Sequence, residues 1–138
     1  MIIVDDHLAL LAIAGHLPDL QADDGPIATT WSFQFRLARA LADTTRSGSL
    51  SRRLANPGAA LRRVLHPPAD RLVVLDPRAS VAEAVRVAAE HGANLLLADL
   101  VAGAILRNAA IRVTRANEGR IWAGIMVAEG IDFVSLDV

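Results

Sequence analysis

Three β-branched residues in a row, Ile2-Ile3-Val4, stop abruptly at two carboxylates, Asp5 and Asp6. A short run of this kind reads as a buried strand, because no polar residue alternates within it to face water. In an open parallel α/β sheet, ligands bind beyond the carboxyl ends of the strands. Asp5 and Asp6 fall at that edge.

The rest of the chain repeats the pattern. Arg71–Leu75, Ile111–Thr114 and Phe133–Leu136 read as further strands, and Pro26–Thr30 as another short one. Between them, apolar residues recur at helical spacing over His7–Gly15, Trp31 to about Thr45, Ala59–Leu65, Val81–His91, Leu95–Ala110 and Trp122–Glu129. Thr30, Ser51 and Ser80 stand where N-caps are expected, and Gly15 and Gly92 where helices should stop. Strands alternating with helices predict an α/β fold. The expected architecture is a three-layer α/β/α sandwich around a central parallel sheet, in one domain spanning residues 1–138.

Hydrophobic residues make up 53% of the 138, more than one small core absorbs. The surplus predicts burial against a second copy, so a homodimer is expected. No apolar run approaches the ~18 residues of a membrane span. The opening apolar run lacks a basic start and meets acid at once, so a cytoplasmic protein is expected rather than a secreted one. There are no cysteines, which excludes disulfides and thiolate metal sites.

Charge is unevenly spread. Residues 1–35 carry five aspartates and no cation, whereas residues 36–63 carry seven arginines against Asp43 alone. Every basic residue is Arg. Compositional bias explains that simply. The functional reading is phosphate contact, with Arg46, Arg52 and Arg53 facing RNA, since the guanidinium fork matches phosphate oxygens.

Among single residues, Asp5 is the foremost candidate, either as a site carboxylate or as the cap of the next helix. Asp6 adjoins it. Asp99 sits in an apolar helix, where a carboxylate has to be paired. Asn117 and Glu118 mark a turn after a strand. The four histidines show no i, i+4 pair, so no zinc site is read from their spacing.

Four segments, taken in order, resemble the PIN-domain family, especially VapC-type toxins of bacterial toxin–antitoxin pairs. They are Ile3-Val4-Asp5 before an apolar helix, Trp31 to Ser51, His91-Gly92-Ala93 with Ala98-Asp99, and Val113-Thr114-Arg115. The resemblance covers nearly the whole chain. It implies a metal-dependent endoribonuclease that dimerises and binds an antitoxin protein. It also implies Mg²⁺ or Mn²⁺ held by carboxylates, which orients water and neutralises the scissile phosphate. Carried over residue by residue, it makes Asp5 and Asp99 the catalytic and metal-binding acids. Two positions depart from the pattern: Arg36 stands where the family has a helical glutamate, and Ala116 where it has a fourth acid. Carboxylates ~4 Å apart repel by about 4 kcal/mol at an effective dielectric near 20. Arg36 is therefore expected to bridge Asp5 and Asp99. Two readings follow: a Mg²⁺-dependent ribonuclease with a reduced acid set, or a PIN-like module that has lost catalysis and binds a protein partner or RNA.

Overall fold

The computed structural model describes residues 1–43 and 55–138. Arg46, Arg52, Arg53 and the expected cap Ser51 lie outside the described residues, as does the end expected near Thr45.

Five parallel strands form one sheet: β1 (Ile2–Val4), β2 (Ile27–Thr30), β3 (Val73–Leu75), β4 (Ala110–Thr114) and β5 (Phe133–Leu136). Their spatial order is β3-β2-β1-β4-β5. β1 is central, with Ile3 opposite Ala28 on one side and Ile111 on the other. Helices cover both of its faces, which is why its sequence shows no alternation. The chain builds outward from β1 to β3, then returns to place β4 on the other flank. The reversal makes the gap between β1 and β4 a topological switch point, where such sheets form their clefts.

Six helices among the described residues cover the sheet: α1 (Asp6–Ala14), α2 (Trp31–Ala42), α3 (Pro57–Leu65), α4 (Val81–His91), α5 (Leu95–Arg107) and α6 (Trp122–Ala128). Side chains alternate across the strands and separate two cores. Ile3, Ala28, Ile111 and Val113 pack against α4, α5 and α6 through Val87, Leu100 and Ile125. Ile2 and Val4 pack against α1, α2 and α3 through Leu8, Leu37 and Val64. The result is the expected three-layer α/β/α sandwich. Gly103 lets α5 lie close to the sheet, since a Cβ there would stand 3.3 Å from Leu75 Cδ1 and 3.4 Å from Ile3 Cδ1. Among the described residues no helix is long and apolar enough to cross a membrane.

Local hydrogen bonding accounts for where the elements depart from expectation. β1 ends at Val4 because Asp5 is already the N-cap of α1. β3 begins at Val73, not Arg71, because the Arg71 and Leu72 amides both donate to the Pro68 carbonyl in a turn. α5 stops at Arg107 because Asn108 turns left-handed at φ 48°, which frees Ala110 to begin β4. Thr30 caps α2 as expected, accepting from the Phe33 amide. Ser80 does not cap α4 through its side chain; its hydroxyl donates to the Pro77 carbonyl instead. Gly15 ends α1 at φ 78° and Gly92 ends α4 at φ 65°, both as expected.

Arg112 reads in the sequence only as part of a strand, yet it is the largest fully buried side chain. It donates to the Leu20 and Gln21 carbonyls at 2.6 and 2.8 Å and to Asp132 Oδ2 at 2.9 Å. These bonds tie the segment before β2 to β4 and to the start of β5. A buried cation is tolerated only when fully bonded in this way.

Candidate functional site at the carboxyl edge of the sheet

Asp5 leaves the end of β1 at the switch point and is completely buried. Its Oδ1 accepts the Leu8 amide at 2.9 Å, which caps α1. Its Oδ2 accepts the Thr114 amide and hydroxyl, each at 2.7 Å, and the Asn117 side-chain amide at 2.7 Å. Asp5 therefore acts as the cap of α1, one of its two readings, and also joins β1 to the end of β4.

Asp6, one residue on, takes the guanidinium of Arg36 in a fork: Nε to Oδ2 at 2.6 Å and Nη2 to Oδ1 at 2.7 Å. The Asn117 amide nitrogen reaches Asp6 Oδ1 at 3.0 Å, and its oxygen accepts Arg36 Nη2 at 2.8 Å. Asn117 thus closes a ring through Asp5, Asp6 and Arg36. The Arg36 guanidinium also lies 5.1 Å from the Phe33 ring centroid, one helical turn back on α2. Hydrogen bonding to Asp6 raises the pKa of Arg36 above its ordinary value, against partial burial, with the charges of Asp6 and Asp5 adding to the rise.

The expected bridge from Arg36 to Asp5 and Asp99 is corrected here: the side chain pairs with Asp6 and Asn117. Geometry explains why. Asp6 begins α1, facing the middle of α2, whereas Asp99 faces the start of α2. Asp99, on α5, is 7% exposed. Its Oδ2 accepts the Ser32 hydroxyl at 2.6 Å and the Ser32 amide at 3.3 Å. Asp99 therefore supplies negative charge to the N-terminus of α2, a favourable place for it. Among the described residues, Asp5 and Asp99 share no hydrogen-bond partner. Arg36, Asp6, Ala116 and Asn117 line one cavity of about 370 Å³, and Asp99 lines another. Glu118 is half-buried and makes no side-chain hydrogen bond among the described residues.

Sequence reasoning missed Ser32 as the partner of Asp99. The only signal in the sequence was the pair Thr30 and Ser32, two hydroxyls flanking the start of α2 and 3.1 Å apart in the structure. It also missed a cluster that only folding assembles: ligand-type atoms of Glu90, His91 and Glu129 lie within 4.8 Å of one another. Arg86 sits among them, bonded to Glu90 at 2.7 Å and Glu129 at 3.1 Å, and His91 Nε2 meets Glu129 Oε1 at 2.9 Å. The Arg86 and His91 bonds hold the Glu129 carboxyl below the usual carboxylate range.

The chemistry of the sheet edge follows from its donor set. A divalent ion of the Mg²⁺ type needs carboxylate oxygens at ~2.0–2.1 Å. Asp5 Oδ2 already takes three donors, and both oxygens of Asp6 are held by a guanidinium that cannot deprotonate. These residues, so arranged, do not fit a divalent ion unless Arg36 is displaced. No protein-family model matches the sequence, and no curated protein matches it.

Proposed function

We propose that this protein is a PIN-like module that has given up metal-dependent hydrolysis and acts by binding a protein partner. The observation that supports this reading is the Arg36 fork on Asp6, closed by Asn117 over Asp5. A fixed guanidinium supplies internally the positive charge that a nuclease of this kind takes from its metal. An incoming dication would have to break two charge-assisted hydrogen bonds and then sit beside the displaced cation. A protein partner is favoured because the described surface offers an apolar groove lined by Trp31, Val81, Val85 and Leu95.

Calorimetric titration of Mn²⁺ tests the reading. The wild type is expected to bind no tighter than millimolar and to leave RNA uncut. Arg36→Glu combined with Ala116→Asp is expected to gain at least about tenfold in Mn²⁺ affinity, about 1.4 kcal/mol. Micromolar binding by the wild type that Asp5→Asn abolishes, with metal-dependent RNA cleavage, would restore the ribonuclease reading.

A further inference from the structure

The groove beside Asp99 is apolar except at one point. Trp31 on α2, Val81 and Val85 on α4, and Leu95 at the start of α5 line it, and Asp99 is the one charged residue in the lining. Its volume of about 510 Å³ falls within the range of ligand-binding clefts, ~300–1,000 Å³. Asp99 is 7% exposed, and its hydrogen bonding is one-sided. Oδ2 accepts both the hydroxyl and the amide of Ser32. Among the described residues nothing donates to Oδ1, and Asp99 joins no ion pair. Arg36 is held by Asp6, Arg78 by Asp76, and Arg86 by Glu83, Glu90 and Glu129. Among the same residues no enclosed side-chain nitrogen or oxygen lacks a partner, so Oδ1 opens to the groove that Asp99 lines.

We infer that the protein partner inserts a lysine side chain into this groove and sets its ammonium on Asp99 Oδ1. The inference rests on the binding-module reading, whose partner it describes. Charge is the first argument. A carboxylate in an apolar setting, bonded only to two neutral donors, is left without an opposite charge, and a cation from outside supplies it. Head-group shape is the second. A guanidinium fork takes both carboxylate oxygens, and Ser32 already occupies Oδ2. A guanidinium on Oδ1 alone would leave several of its five N–H groups against apolar walls, where unmade hydrogen bonds are costly. An ammonium is a compact charge with fewer donors to satisfy. The stem is the third. Its four methylenes pack along Val81, Val85 and Leu95 while the head reaches the acid.

Composition excludes one source of that lysine. All 14 basic residues of the chain are Arg, so a second copy of it brings no lysine to the groove. The partner is a different protein, with apolar residues flanking the lysine to cover Trp31 and Leu95.

NMR titration of the isotope-labelled chain with three acetylated, amidated peptides tests the inference: Leu-Lys-Leu, Leu-Arg-Leu and Leu-norleucine-Leu. The lysine peptide is expected to bind with a Kd of about 1 mM. It should shift the Trp31 indole and the Val85 and Leu95 amides and leave Val127, an exposed residue of α6 outside the groove, unmoved. The norleucine peptide has a similar stem without the charge and is expected to bind at least about tenfold more weakly, and the arginine peptide at least about threefold more weakly. Asp99→Asn keeps an oxygen for Ser32 and is expected to bring all three within about twofold of one another. Far-UV circular dichroism verifies its fold, and if it does not fold, the wild-type contrast between lysine and norleucine decides alone. Three results in the wild type each overturn the inference: no shift at about 10 mM lysine peptide, equal affinity for lysine and norleucine, or arginine bound as tightly as lysine. A folded Asn variant that keeps the lysine preference overturns it too. Equal affinity for lysine and norleucine leaves the binding-module reading standing. Tight Mn²⁺ binding with RNA cleavage, beside an intact lysine preference, overturns that reading and leaves the lysine site standing.

Discussion

Phe35 and Arg36 are neighbours in sequence and serve opposite kinds of surface. Arg36 points into a ring of polar groups in which every donor and acceptor named above has a partner. Phe35 is 54% exposed and stacks on Trp31, extending the apolar groove of the described surface. Helix α2 carries both, because successive residues on a helix point about 100° apart. The comparison separates two ways a surface can be left by folding. The polar edge resembles an active site by residue type, and its charged groups are paired among themselves. The apolar face is the part that folding leaves unfinished. Residue types that suggest catalysis are therefore no guide to function until their partners are known.

The strongest way to break this comparison is Asp5→Ala. It removes the cap of α1 and strands the buried Thr114 amide and hydroxyl. The expected loss is about 3–5 kcal/mol, read as a shifted urea midpoint. A loss under about 1 kcal/mol would mean that the edge is not a structural lock.

Arg36→Met is expected to cost less, about 1 kcal/mol, because the guanidinium is half-exposed and solvent already screens its pairing. The informative readout is the contrast with Asp5→Ala in the same denaturation series. Equal effects would place the cation, rather than the buried carboxylate, at the centre of the network.

The smallest effect is expected for Glu129→Gln, which touches neither region and so calibrates both. The Glu129 carboxyl is held below its ordinary value, first by Arg86 and then by His91. A depressed folded pKa contributes stability that is fully present above the ordinary value of 4.5 and fades as pH falls through the lower folded value. Glu129→Gln should therefore lower stability at neutral pH by about 0.5 kcal/mol, and the gap from wild type should close under acid. A gap that widens as pH falls would refute the assignment.

Periodicity and punctuation made much of the fold legible. The bounds of α4 and β5 follow from apolar spacing and stop signals, and Thr30 acts as the cap its position implies. Boundaries failed where a backbone amide found a closer partner than the sheet or helix offered, as at Arg71 and Leu72 turning on Pro68. The candidate site was legible as a set of residue types. Asp5, Asp6, Arg36 and Asn117 were all singled out, and all four meet. Their pairing was not legible, because Asp6 and Asp99 are equally plausible partners for Arg36 along the chain.

The sequence by itself determined that this protein is a helix-covered parallel sheet with carboxylates at the end of its central strand. Those features are local: β-branched runs, helical spacing and turn residues act within a few positions of themselves. Only the tertiary structure decided that Arg36 binds Asp6, that Asp99 binds Ser32, and that Trp31, Val81, Val85 and Leu95 share one groove. These contacts join residues tens of positions apart, and which of them form depends on helix rotation and crossing, which sequence spacing does not encode.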